Sequence, residues 1–503
     1  MSAQGDGPQP LDARNNVDTR VVVVGAGFAG ICVGHDLLAA GIDDFVILEK
    51  ADGVGGTWRH NTYPGAACDV PSHVYSYSFR PNPHWSRVYS PQTEILAYLE
   101  DCVDALGLRP HLRVGTEVTG HTYDDETRTW QTELADSSTL RSEVVVKATG
   151  VLHRPVWPDV PGRDTFEGDL LHTAGWDPDV KVDGKRVVVI GSAASGIQVT
   201  PKLAEVAESV TVFQRTPSWV LPRNDRAYTD AEIAELAADP DAYERFRSEM
   251  ATEREQMLYP VFTSGSEHNV GLTAIAAAHL EESVPDPDLR AKLTPDYELG
   301  CKRILITDDW FDTLALDHVE LVAGPVTRFV PTGVVGLADG QQVEVDADVV
   351  VCATGFDPEG GWRIPPVIGP GGTSLDEAWG LDVETYKGVA VPGFPNFFLV
   401  DGPNSNNGYL PSIGTIEIDS RFVTGLIAEH PRGSSIEARP EPTTAWCEAL
   451  QARFDDTVFV GSCASWYRSP GGKIWTVWPG NLAEYAAAKD DQARSDFEVR
   501  LPG

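Results

Sequence analysis

Two residues of opposite charge stand at matching points of two similar segments. Glu49 comes near the end of RVVVVGAGFAGICVGHDLLAAGIDDFVILEK (20–50), and Arg215 near the end of KRVVVIGSAASGIQVTPKLAEVAESVTVFQRT (185–216). Each lies 24 residues after the first glycine of a glycine-bearing turn. A carboxylate at such a point accepts the hydroxyls of a ribose and repels a phosphate there. A guanidinium, here followed by Thr216, grips a 2′-phosphate. The chemistry implied is recognition of two unlike dinucleotides, one with free ribose hydroxyls, such as FAD, and one phosphorylated, NADPH.

The elements that must position these residues can be read from the same segments. The apolar run Val21 to Val24 fits a strand buried on both faces of a parallel sheet. Gly25, Gly27 and Gly30 follow in GxGxxG spacing, then a helix to Gly41 and a second strand, Phe45 to Leu48. The later segment repeats this plan with a strand from Val187 to Ile190 and a turn carrying Gly191, Ser192, Ser195 and Gly196. Its next strand runs from Val210 to Phe213, and Ala193 takes the place of the middle glycine. In both units the helix N-terminus is expected to face a pyrophosphate.

Two further strands, in VVVKATG (144–150) and VVVCATG (349–355), end in the same small-residue turn, where the chain is expected to cross between sheets. The fold class expected is α/β, with two Rossmann-like dinucleotide-binding domains. The first is discontinuous, 1–160 and 345–503. The second, 161–223 and 301–344, is inserted into it and is itself interrupted by a helical insertion, 224–300. That insertion carries a capping box at Thr229 and Glu232 and proline breaks at Pro240, Pro260 and Pro295.

Composition narrows the functions available. The 503 residues include 39 Lys+Arg and 75 Asp+Glu, a formal charge of −36, which repels nucleic acid and anionic membranes. No stretch reaches the ~18 uninterrupted apolar residues of a membrane span. The polar N-terminus MSAQGDGPQPLDARNN reads as a disordered leader with no apolar signal-peptide core. The seven cysteines are scattered and form no CxxC pair, so they are expected to be reduced, mostly core residues of a cytoplasmic protein, with no metal site. Hydrolase elbows, HExxH and P-loops are absent from the sequence.

Three segments go beyond two nucleotide folds. Phe166-Glu-Gly168-Asp-Leu-Leu-His172-Thr-Ala-Gly-Trp176-Asp177 resembles the FxGxxxHxxxW fingerprint of type I Baeyer–Villiger monooxygenases. Gly55-Gly56-Thr57-Trp58, continuing through Tyr63-Pro64-Gly65 to Asp69, resembles that family's other signature. Gly300-Cys301-Lys302-Arg303 matches the segment that carries its active-site arginine. The resemblance spans about residues 20 to 485, nearly the whole chain.

The resemblance implies a flavin-dependent enzyme that uses NADPH and O2 to insert an oxygen atom beside a ketone carbonyl, through a flavin peroxide stabilised by Arg303. It makes Asp69 the carboxylate partner of Arg303. Thr57, Trp58, Asp69 and Tyr75 would line the flavin, and Val118 joins the cofactor-binding positions. Lys302 would join Arg215 and Thr216 around the 2′-phosphate. Trp466, in CASWYRSPGG, falls where the family places a loop tryptophan over bound NADP, although this loop lacks the usual Asn- and Pro-rich sequence. His172 is expected to orient backbone at the domain junction. The competing readings are a flavin N- or S-monooxygenase, a simple NADPH oxidase and a non-catalytic dinucleotide-binding protein. The ketone and the oligomeric state are left open.

Overall fold

The computed structural model describes residues 17–409, 411–461 and 463–502, so the N-terminal leader lies outside the described residues. Two main sheets carry the two units. In the first, Thr19–Val24 pairs in parallel with Phe45–Leu48 on one side and with Thr139–Lys147 on the other. Val118–Asp124, Thr129–Leu134 and Thr139–Lys147 extend this sheet as an antiparallel meander, and Phe397–Leu399 adds to it in parallel. The second sheet is five-stranded and wholly parallel, ordered Val319–Ala323, Ser209–Gln214, Arg186–Ile190, Val349–Cys352, Asp169–His172. Val21 to Val23 and Val187 to Val189 are at most 2% exposed, as strands covered on both faces must be.

The two glycine turns are near copies. Gly25 and Gly191 have φ of +103° and +108°, a region closed to L side chains, and each presses against the ATG turn of a neighbouring strand. A Cβ on Gly25 would sit 2.6 Å from the Ala148 carbonyl oxygen, and one on Gly191 2.5 Å from that of Ala353. Gly27 and Ala193 share one backbone conformation, φ −84° with ψ −164° and −165°. That conformation suits any residue, which is why alanine is accepted there. The small-residue turns after the two VVV strands thus buttress the nucleotide turns.

One boundary differs from expectation. Val349–Cys352 hydrogen-bonds between Arg186–Ile190 and Asp169–His172, so the chain returns to the first sheet after Cys352 rather than at 345. The antiparallel strands Val326–Val330, Gly333–Ala338 and Gln341–Asp346 precede that return as a small separate sheet. The segment 224–300 is helical, with helices Asp230–Ala238, Pro240–Leu258, Glu267–Ser283 and Pro287–Leu293. Thr229 and Glu232 form the capping box, and Pro240 opens a helix as its first residue.

The cysteines also differ. Cys301 and Cys463 are joined in a disulfide across 162 positions, whereas Cys32, Cys68, Cys102, Cys352 and Cys447 are free. A pairing made by tertiary contact leaves no local spacing to read. The expectation of a cytoplasmic location loses the fully reduced cysteines on which it rested. No helix among the described residues is long and apolar enough to cross a membrane.

Candidate active site

The first cradle is assembled by backbone and one carboxylate. The Gly55 amide donates to the Ala26 carbonyl at 3.0 Å, laying the Gly55-Gly56-Thr57-Trp58 signature against the first glycine turn. A Cβ on Gly27 would meet only Gly56 backbone, at 3.5 Å, so the turn stays open to a ligand. Glu49 is buried and accepts from the Ala26 amide through Oε2 at 2.8 Å and from the Ala51 amide through Oε1 at 2.9 Å. Each oxygen keeps acceptor capacity for a ribose hydroxyl. Trp58 Nε1 donates to the Tyr75 hydroxyl at 3.0 Å, and Phe28 meets Tyr75 edge-on at 5.2 Å. Thr57 opens the short helix Thr57–His60 and is exposed. Val118 packs on the apolar core of the first sheet, just beyond Thr116, whose amide donates to the Glu49 carbonyl.

The second cradle gathers positive charge. Arg215 is exposed, Thr216 half-buried, and Lys302 lies over the Tyr297 ring at 4.7 Å. Burial lowers the Lys302 pKa, and the like charge of Arg215 lowers it further. Neither cation forms an ion pair among the described residues. Asp296 acts on Lys302 in the opposite sense without pairing with it, and two neighbouring unpaired cations in a chain of formal charge −36 suit an anion between them. Ser192 donates from Oγ to Gln214 Oε1 at 3.1 Å, fixing the start of the second turn. Ser195 faces Tyr63, and the Tyr63 hydroxyl donates to Gln198 at 2.8 Å. Gln198 in turn donates to the Ala67 carbonyl at 3.0 Å. The helix Ala194–Ala204 of the second unit therefore carries the loop of the first that leads to Asp69.

At that seam Arg303 donates from Nε (2.9 Å) and Nη2 (2.5 Å) to Asp69 Oδ2. Its Nη1 makes no hydrogen bond among the described residues, and the side chain is 42% exposed although the dense protein around it still desolvates the charge. Asp69 raises the guanidinium pKa against that desolvation, so Arg303 stays charged. Burial pushes the Asp69 carboxyl up, but Arg303 outweighs it and leaves it below the ordinary carboxylate value.

Three features of this seam were missed in the sequence. Arg254, on the helix Pro240–Leu258, donates from Nε to the Tyr409 carbonyl at 2.7 Å and from Nη2 to the Asp69 carbonyl at 3.4 Å. Tyr467, beside the expected Trp466, lies where the charges of Arg303 and Asp69 act on it. The Cys301–Cys463 disulfide ties the segment of Lys302 and Arg303 to the loop of Trp466 and Tyr467. No sequence signal marks any of the three, because each depends on segments meeting in space. Trp466 is half-buried, its ring 4.6 Å from that of Tyr467.

His172 and Trp176 lie away from Arg303's hydrogen bonds. His172 Nδ1 accepts from the Ala174 amide at 3.0 Å, and its Nε2 is 3.4 Å from Thr354 Oγ1 in the second ATG turn. Burial lowers its pKa, so the neutral ring orders backbone where the chain crosses between sheets. Trp176 packs on the core of the second unit. No cluster of residues suited to a metal occurs among the described residues.

Two glycine turns followed by side chains of opposite charge, with an arginine–carboxylate pair where the two units meet, are the features of a two-nucleotide oxidoreductase. Residues 22–268 match the family model described as pyridine nucleotide-disulphide oxidoreductase. A Baeyer–Villiger monooxygenase of Streptomyces coelicolor is 40% identical over 96% of this chain and 93% of its own. One of Pseudomonas aeruginosa is 35% identical over 95% of this chain and 90% of its own. Among solved structures, cyclohexanone monooxygenase from Rhodococcus sp. Phi1 bound to NADP+ aligns with a TM-score of 0.85 at 31% identity, covering 96% of this chain and 99% of that one. An oxidised steroid monooxygenase bound to NADP gives 0.84 at 32%, covering 96% and 100%. The chain belongs to the Baeyer–Villiger monooxygenase family.

Proposed function

We propose that this chain uses FAD, NADPH and O2 to insert one oxygen atom beside a ketone carbonyl, yielding an ester or lactone. The observation that carries the reading is Arg303, held by Asp69 at the seam with one guanidinium edge free. The residues present fit the two cofactors. The open turn at Gly27 and the acceptors of Glu49 suit the ribose and pyrophosphate of FAD, and the unpaired cations Arg215 and Lys302, with Thr216, suit the 2′-phosphate of NADPH. When bound, the flavin supplies activated oxygen and the nicotinamide supplies the reducing hydride.

The protein's own contribution is electrostatic. Oxygen addition to a ketone turns the carbonyl oxygen into an oxyanion, and a permanently charged, planar guanidinium offers it a fixed fork of donors. Asp69 takes Nε and Nη2 on a single oxygen, which sets the plane of the fork and leaves Nη1 for the reacting groups. Arg254 braces the Asp69 backbone from the helical insertion, tying that insertion to the site.

The test is NADPH consumption by the FAD-loaded protein with linear, cyclic and aryl ketones, with product identification. Ester or lactone formation supports the reading. Oxygenation of amines or thioethers without any ester would replace it with the N- or S-monooxygenase alternative. Hydrogen peroxide as the sole product would make the chain an oxidase.

A further inference from the structure

We propose that Arg223 is a positioning residue for the Asp69–Arg303 pair: it holds the Cys68 carbonyl so that the Asp69 carboxylate meets Arg303 from a fixed direction; this rests on the reading of Arg303 just given. Arg223 donates from Nη2 to the Cys68 carbonyl at 3.0 Å, across 155 positions of chain. Cys68 is 2% exposed and immediately precedes Asp69, whose Oδ2 accepts from Arg303.

The two arginines come from one piece of structure. Val220–Pro222 and Leu305–Thr307 pair in parallel as a two-stranded ribbon, with Pro222 opposite Thr307. Arg223 follows the first strand, and Arg303 stands just before the second. From opposite ends of the ribbon they reach adjacent residues, Arg223 the backbone of Cys68 and Arg303 the side chain of Asp69. A single contact would leave the loop free to pivot, whereas two fix its tilt as well as its distance.

Arg223 is itself held. Its amide and those of Asn224 and Asp225 converge on the Asp308 carboxylate at 2.9, 2.8 and 2.9 Å, in a turn that Asn224 permits by taking φ of +52°. Asp308 directly follows Thr307, so it closes the end of the ribbon onto Arg223. The guanidinium lies over the Tyr89 ring at 5.0 Å. The neighbouring carbonyls of the loop have holders of their own, Gln198 on Ala67 and Arg254 on Asp69. Of the three, Arg223 is the one that shares its ribbon with Arg303.

Arg223 acts through Asp69 alone: its hydrogen bond to a peptide carbonyl moves no proton and makes no bond to substrate. Misplacing a reacting group by about 1 Å can cost roughly 10²-fold in rate. Loss of one holder among three is expected to cost less.

The experiment compares the wild-type holoenzyme with Arg223→Met, which keeps the stem and loses the charge and donors. Arg87→Met is the control, since Arg87 pairs with Asp225 at 2.9 Å across the same junction and makes no hydrogen bond from its side chain to Cys68 or Asp69. In Arg223→Met, ester formed per NADPH consumed is expected to fall about 5-fold or more, with kcat for ester formation reduced and ketone KM changed less than about two-fold. Arg87→Met is expected to keep the wild-type ratio. An undiminished ratio in Arg223→Met, an equal fall in Arg87→Met, or a loss confined to ketone KM overturns the proposal. Should Arg223→Met not fold, Arg223→Gln, polar but too short to reach the Cys68 carbonyl, takes its place under the same outcomes. A wild-type protein that forms no ester from any ketone would instead sink the functional reading, and this proposal with it.

Discussion

Asp69 and Arg303 stand 234 positions apart in the sequence, yet two guanidinium nitrogens converge on one Asp69 oxygen. The geometry is lopsided. One carboxylate oxygen does the holding, and one guanidinium edge stays out of the pair. An arginine meant only to neutralise an aspartate would do better as a two-oxygen fork. This one is oriented by its partner without being consumed by it.

Arg303→Ala is the most direct consequence. Removal of a donor aimed at a developing oxyanion costs ~3–4 kcal/mol, or roughly 10²–10³ in rate. Ester formation should fall by that much while the protein still binds FAD and still oxidises NADPH. Arg303→Lys keeps the charge but loses the fork, and should recover only part of the rate. Near-normal ester formation by Arg303→Ala would remove Arg303 from the site.

The phosphate side gives a second expectation, read through cofactor choice. Arg215→Ala and Lys302→Ala each remove one of the two neighbouring cations, and each should raise the KM for NADPH about 10-fold or more. NADH, which has no 2′-phosphate, should be affected far less. The double variant should nearly erase the preference. Parallel changes for both nucleotides would mean that these cations do not meet the phosphate.

How much of this could be read beforehand follows from the range of each interaction. Glu49, with its bonds to the Ala26 and Ala51 amides, and the capping box at Thr229 rest on contacts within a short stretch of chain, while the glycine turns and Arg215 are marked by the repeated spacing of the two segments. Arg303 and Asp69 were legible only because each sits in a recognisable segment. Arg254 and Tyr467 had no such setting, since they lie on a charged helix and on a loop with an unusual sequence. The strand Val349–Cys352 was misassigned for a related reason. A VVV run buried on both faces looks the same in either parallel sheet, and only its pairing decides which one it joins.

The ion pair predicts a specific dependence on pH. Arg303 lowers the Asp69 pKa in the folded protein, so the unfolded chain binds the proton more readily. The stability gained is complete above the unfolded carboxylate value, about 4, and is lost as pH falls through the lower folded value. The difference in unfolding free energy between wild type and Asp69→Asn should therefore stay flat from about pH 8 to 5 and shrink only below about 4. Side-chain exposures of 27% for Asp69 and 42% for Arg303 keep the effect modest. A difference that already fades near neutrality would show that another group governs the pair.

The Cys301–Cys463 disulfide should matter to the loop more than to either sheet. Closing a loop of 162 positions has an entropic ceiling of about 5 kcal/mol, reached only if the reduced chain keeps no native contact across it. Here Arg468 and Trp475 hold the same loop by hydrogen bonds, so reduction should free part of it and leave the nucleotide cradles standing. Dithiothreitol is expected to lower the thermal midpoint of the wild type and to leave Cys463→Ser, already lowered, where it is. Ketone turnover should decline with reduction while FAD stays bound, because the segment of Arg303 loses its tether to that loop and Glu49 keeps its own bonds. A reductant that changes neither stability nor turnover would show that the hydrogen bonds of Arg468 and Trp475 suffice to hold the loop.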